Sequence, residues 1–367
     1  MTTRCGEDRR TEGFSARARR GRRYGDAVPE ALRARIAAVS AHLPSHYRTM
    51  DEIRARIAGT GGYAPPPGLL EDLTGVRGVH VHEDGENASD LAVAAARTAL
   101  DEAGLAIGDI DLLLFAATAQ DLVEPATSHL VATKLGASCP VFDIKNACNS
   151  VLNAMEVAAS FIETGRYRTV LIACGEPATL ATRWHAPDRQ ALLRALPGYT
   201  ASDAGAALVL TAGPAGEDDP GILALRFAGN SDAWEACTVS GGGSMHHLST
   251  HDDHTTLRLN GDLRQGALDA LPRILEAAGK ELEAVGSSAF VAFHQIAMPQ
   301  YREMIELLSL PEDRCMPAVA EHGNCAAASL PLQLVKAREA DRIERGDLVT
   351  MIGLASGFSF GLALVRW

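Results

Sequence analysis

The sequence predicts an α/β protein built from two similar halves, with buried sheets between layers of helices. Three observations carry that prediction. Apolar runs of strand length alternate with amphipathic segments of helix length over most of the chain, and this grammar places helices on both faces of a largely parallel sheet. The pattern also occurs twice, because "FIETGRYRTVLIACG" set above "RIERGDLVTMIGLAS" aligns a helix end, a glycine and the strand that follows. Finally, 367 residues that are 47% hydrophobic but only 5% aromatic suit two closely packed units rich in Ala, Val, Leu and Gly.

Residues 1–34, with the Arg-rich "RTEGFSARARRGRRYGD", lack apolar periodicity and read as a disordered basic tail, in preference to an arm for an acidic partner. An N-terminal half spans 35–215. It opens with the strand "RIAAVSAHLP" and the threonine-capped helix "TMDEIRARIAG". Next comes "SDLAVAAARTALDEAGL", a helix with a Ser or Asp cap and a glycine stop, and then the strand "DIDLLLFAATA". A short helix "ATSHLVATKLGA", a strand "CPVFDI", a helix "SVLNAMEVAASFIETG" and two strands, "YRTVLIACG" and "AGAALVLTAG", complete this half. Linker chemistry in "AGPAGEDDPG" separates it from a C-terminal half, 216–367. There "GILALRFAG" and "SSAFVAFHQI" are strands around the helix "GDLRQGALDALPRILEAAG", and "SLPLQLVKAREADRIERGD" leads into the strand "LVTMIGLAS".

Several function classes are disfavoured. A formal net charge of -12 repels a phosphate backbone, which argues against nucleic acid as a partner. Seven scattered cysteines without a C-x-x-C pair suggest neither a zinc site nor a disulfide framework and fit a reducing cytoplasm. No apolar run approaches the roughly 20 residues of a membrane helix, and the N-terminus has no secretory apolar core.

Three islands could carry chemistry. Cys148 in "KNACNSVL" stands at a helix N-terminus, where unpaired N–H groups favour a thiolate and can receive an oxyanion; the alternative is a small buried packing residue. His294 leaves the apolar run "AFVAF" at a strand end, where α/β sheets collect ligands, or else is structural. Asn324 in "EHGNCAAASLPL" precedes an Ala-rich helix, either as a plain cap or with its amide turned inward. The segment "GGGSMHHLSTHDDH", with His246, His247, His251 and His254, reads as a glycine-loosened entrance or specificity loop; no frame fixes its histidines as metal ligands.

Taken together, "NAC" at Cys148, "HQ" at His294 and "HGNCAAASLP" at Asn324 resemble the Cys-His-Asn set of the β-ketoacyl-ACP synthase III family of thiolase-fold enzymes. The ending "IGLASGFSFGLALVRW", with "TGVR" at Thr74 and "SDAGAALVL", extends the resemblance over nearly everything from residue 35 onward. It implies a thiolase-like fold: two copies of a five-stranded α/β unit in αβαβα layers. It also implies that Cys148 takes an acyl group from a CoA or acyl-carrier-protein thioester, after which His294 and Asn324 stabilise the enolate of a malonyl-type thioester that has lost CO2. Backbone N–H groups of Cys148 and of Ser356 or Gly357 would hold the acyl oxyanion. No metal or other cofactor is expected, since the phosphopantetheine thioesters are themselves substrates, and a homodimer and an acyl carrier protein are the expected partners.

Departures from the family pattern bear on substrate. Asn149 and Ser150 follow the cysteine where small residues are usual, which points to a more polar pocket floor. Leu69 or Leu70 stands where relatives often stack a tryptophan on CoA, leaving Arg77 as a phosphate contact, while Arg264 and Arg273 could meet an acidic carrier protein. The competing expectation is acyl transfer to an alcohol or amine, which needs Cys148 and His294 but not Asn324. A degradative thiolase is disfavoured, because "GLASGFSFG" lacks the second cysteine of that branch.

Overall fold

The computed structural model describes residues 31–247 and 249–367. The expected basic tail lies outside these residues, apart from its last four. The first half runs β1 (Leu32–His42), β2 (His46–Thr49), α1 (Met50–Ala58), α2 (Leu69–Thr74), β3 (Gly78–Val81) and α3 (Ala88–Ala103). It continues with β4 (Leu112–Ala116), α4 (Thr127–Leu135), β5 (Val141–Ile144), α5 (Ser150–Glu163), β6 (Thr169–Glu176), α6 (Arg189–Arg194), α7 (Leu196–Thr200) and β7 (Ala204–Pro214). The second half contains β8 (Gly221–Gly229), β9 (Cys237–Thr238), α8 (Asp252–Thr255), β10 (Arg258–Leu259), α9 (Leu263–Val285) and β11 (Phe290–Phe293). Then follow α10 (Met298–Leu308), α11 (Ala318–His322), α12 (Ser329–Glu339), β12 (Leu348–Ala355) and β13 (Ser359–Arg366).

Two main sheets repeat one design. The first has the order β1-β7-β6-β4-β5 and the second β11-β12-β13-β8. In each, a parallel pair (β4 with β6, β11 with β12) is followed by two antiparallel pairings, β6-β7-β1 and β12-β13-β8. The duplication is therefore in the topology. The sheets are mixed, however, and not largely parallel as the continuous apolar strands suggest: such runs report burial on both faces, not strand direction. The second sheet also has four strands among the described residues. Where a counterpart of β5 would lie, Pro317, which lacks a ladder donor, leads directly into α11.

Five layers result. Helix α3 covers the outer face of the first sheet and α9 that of the second, while α5 and α12 lie between the sheets and touch both. This middle position explains why α5 buries eight side chains around its girth, from Val151 and Leu152 to Ile162. Small residues bring the outer layer close, since a Cβ on Gly175 or Gly205 would lie 1.8 Å or 2.0 Å from the carbonyl oxygens of Ala88 and Leu91 in α3. Thr49 caps α1 with Glu52 in a reciprocal capping box, as its sequence predicts. For α3 the cap is Asn87, two residues before the expected Ser89, and its N–H donates to Asp90 Oδ2 (3.0 Å).

Candidate active site

Cys148 sits in a tight turn between β5 and α5. Ala147, just before it, is held at φ 47°, a left-handed conformation that costs a residue with a Cβ about 1–2 kcal/mol. Local bonds hold the turn: Asn146 N–H donates to Ser150 Oγ (2.9 Å) and Ser150 Oγ–H to Ala147 O (2.7 Å). Asn149 donates through Nδ2 to Ser359 O and Oγ, both at 3.0 Å, and so fastens the start of α5 to β13 of the other half. Only a glycine fits opposite it, because a Cβ on Gly353 would lie 2.0 Å from Asn149 Oδ1. Asn149 and Ser150 are thus fully buried braces of the Cys148 turn, not the polar pocket floor that their sequence position suggests.

His294 follows β11 directly, and its N–H donates to Ile352 O (2.8 Å), beside Gly353. The imidazole is buried, and its Nδ1 has no hydrogen-bond partner among the described residues. Burial pushes its pKa down to about 4, so the ring is neutral at physiological pH. Asn324 is held by its backbone, donating to Thr200 O (2.7 Å) and accepting from Ser202 N–H (3.0 Å). Its Oδ1 accepts Ala326 N–H (3.0 Å), which fixes the amide and leaves Nδ2 as the available donor. Gly323, at φ 67°, allows this approach, since a Cβ there would lie 2.7 Å from Thr200 O.

Glu176, at the end of β6, stands in no recognisable motif of the sequence. It is fully buried, and its carboxylate accepts the N–H of Thr118 (2.7 Å) and of Ala327 (3.3 Å) and the Thr118 hydroxyl. It thereby ties the end of β4 to the turn that carries Asn324. Burial outweighs these donors and pushes its pKa up to about 7. Burial, and after it the charge of Glu176, also raises the Cys148 thiol, against the expectation that a helix N-terminus favours the thiolate. Close packing of Asn149 against Gly353 sets the start of α5 beside the strand residue Ile352, whose carbonyl holds His294, while Glu176 holds the Asn324 turn through Ala327.

Ser356 and Gly357 occupy the β12–β13 turn, three and two residues before Ser359, and Gly357 at φ 112° has open space around it. Leu70 is buried in a core with Leu69 at its margin. Arg77 is exposed and paired with Glu321 at 2.5 Å. On α9, Arg264 bonds Glu303 (2.7 Å) and Arg273 reaches Gly229 O (2.8 Å), both at the surface. His246 and His254 stack at 3.8 Å, and no group of three or more His, Cys, Asp or Glu among the described residues is arranged to hold a metal ion. No described helix is long and apolar enough to cross a membrane.

Comparison with known proteins gives the same placement. Residues 142–231 match the 3-oxoacyl-[acyl-carrier-protein] synthase III family model, and 275–367 match the model of its C-terminal region. The β-ketoacyl-[acyl-carrier-protein] synthase III of Thiobacillus denitrificans is 34% identical over 85% of this chain and 99% of its own. That of Rhodospirillum centenum is 32% identical over 92% of this chain and 99% of its own. Among solved structures, a variant of Xanthomonas campestris OleA superposes with a TM-score of 0.79 at 25% identity, covering 93% of this chain and all of that one. Shared length, sequence and architecture thus agree, and the chain belongs to the β-ketoacyl-[acyl-carrier-protein] synthase III family of thiolase-fold enzymes.

Proposed function

We propose that the protein is a condensing enzyme in which Cys148 carries the acyl group and His294 and Asn324 stabilise an enolate. The observation that carries this reading is the state of the two donors: a buried, neutral imidazole without a partner and an amide whose oxygen is already held. In the first step Cys148 Sγ attacks the acyl carbonyl of a CoA or carrier-protein thioester, and the carrier thiol leaves. Because burial keeps Cys148 as a thiol, its proton must be removed as the C–S bond forms. Neutral His294 is suited to accept it and return it to the leaving sulfur.

In the second step a malonyl-type thioester loses CO2, and its enolate attacks the acyl carbon, expelling Cys148 and giving a β-ketoacyl thioester. Two neutral donors suit a developing enolate; losing one such donor typically costs about 3 kcal/mol in the barrier. The Cys148 and Gly357 N–H groups are assigned to the acyl oxyanion, and Ser356 to the same turn. Relatives named for the carrier protein and an OleA structure with bound lauroyl-CoA support thioester donors of this kind. No metal or cofactor is required by this chemistry. A homodimer is part of the reading, supported by the open edge at β5, where Phe142 is exposed.

The test is intact-mass detection of acylation from acyl-CoA and acyl carrier protein, followed by addition of malonyl carrier protein. Acylation should vanish in Cys148→Ala, and Asn324→Asp should acylate normally but release CO2 about a hundredfold more slowly. Discharge of the acyl-enzyme only by an added alcohol or amine would overturn the condensation reading.

A further inference from the structure

The turn that carries Asn324 is gripped on both flanks by one residue, His80 of β3. Through its backbone, His80 donates its N–H to Ser202 Oγ (2.8 Å) and accepts the Asp203 N–H (3.0 Å). Ser202 in turn donates to Asn324 O, so this grip holds one flank of the turn. Through its ring, His80 Nε2 lies 3.2 Å from Nδ1 of His322, the last residue of α11. Only Gly323, at φ 67°, separates His322 from Asn324.

The direction of each bond in this pair follows from its ends. Pro44 O, which can only accept, lies 2.8 Å from His80 Nδ1 and fixes a ring proton there. Burial lowers the pKa of His80 and pushes that of His322 down to about 4, so at neutral pH each ring carries one proton. His80 Nε2 is then an acceptor, and His322 Nδ1 is the donor. No other combination of tautomers satisfies both Pro44 O and the ring pair. Packing keeps the rings in register: they stack at 5.4 Å and 27°, and Tyr47, directly across from His80 in the β2–β3 ribbon, meets it edge-on at 5.2 Å. The Tyr47 hydroxyl also donates to Glu321 O (2.9 Å), which ties the residue before His322 to the same ribbon.

We propose that His80 is a positioning residue for Asn324: its Nε2 acceptor holds the Nδ1–H of His322 and so sets where the Asn324 amide stands. Its consequence for decarboxylation rests on the reading of Asn324 as an enolate donor, for which a displacement of about 1 Å can cost on the order of a hundredfold in rate. The test uses the full-length protein and variants that replace one ring nitrogen at a time. His80→Gln keeps an amide oxygen at the reach of Nε2, whereas His80→Asn reaches only as far as Nδ1 and Pro44 O. Decarboxylation of malonyl carrier protein should fall about tenfold to a hundredfold in kcat, with KM unchanged, in His80→Asn and stay within about twofold of wild type in His80→Gln. Acylation of Cys148 should be unchanged in both. Reciprocally, His322→Asn, which retains a donor at the Nδ1 position, should behave as wild type and His322→Phe as His80→Asn.

Equal losses in His80→Asn and His80→Gln, or a loss shared equally by acylation and decarboxylation, overturn the proposal, because a ring that only fills space does not sort variants by the nitrogen they replace. A second readout is independent of catalysis. In nuclear magnetic resonance spectra of protein with isotope-labelled asparagine, the Nδ2 signal of Asn324, assigned by its loss in Asn324→Asp, should shift in His80→Asn and not in His80→Gln. An unmoved signal in both variants refutes the positioning role even if condensation proceeds through Asn324. A signal that shifts as expected, together with normal decarboxylation by Asn324→Asp, upholds the positioning role and overturns only the enolate reading.

Discussion

At the scale of single residues, Glu176 and His294 are buried titratable groups pushed in opposite senses. Glu176, raised from 4.5 to about 7, favours the folded protein below the unfolded value, and that stability is lost as pH rises through 4.5 to about 7. Relative to wild type, Glu176→Gln should therefore gain about 3 kcal/mol on going from about pH 5 to about pH 8, read from urea midpoints. His294, lowered from 6.5 to about 4, acts in reverse: its contribution is present above 6.5 and is lost as pH falls through about 4. His294→Asn should accordingly gain on wild type toward acid by a similar amount, and parallel curves for variant and wild type would contradict the assigned protonation states. Cys148, His294 and Asn324 were legible because each residue type stood in a short recognisable motif. Glu176 was not, because nothing in "IACGEPA" says that its carboxylate meets backbone donors at Thr118 and Ala327, 58 and 151 residues away in sequence.

At the scale of elements, close approach does much of the positioning. Gly175→Ala would push α3 off β6 and should cost about 3 kcal/mol, measured by denaturant unfolding. Gly323→Ala forces a Cβ toward Thr200 O at a positive φ and should cost roughly 2 kcal/mol. Its sharper signature is kinetic: acylation of Cys148 should persist while malonyl decarboxylation falls, since the Asn324 turn moves and the α5 turn does not. Strands and helices with strong periodicity were legible within a few residues. By contrast, the segment from Pro177 to Asp203, which forms α6 and α7, lacks a long apolar period, and its helices are short pieces set by packing against α2 and β10.

At the scale of the molecule, the first sheet ends in an open β5 edge with Phe142 38% exposed. Such an edge is a pairing surface, and the proposed homodimer places it there. Phe142→Asp should shift the protein from dimer to monomer in light scattering; an unchanged mass would move the interface elsewhere. By itself the sequence determined the duplicated α/β character, the order of elements and the family motifs around Cys148, His294 and Asn324, because periodicity and short motifs are local. Only the tertiary structure decided the mixed strand directions, the bracing role of Asn149 and Ser150 and the neutral buried state of His294. Those properties arise from contacts between segments far apart in the chain and from the burial that follows, and neither distance nor burial is written in a local pattern.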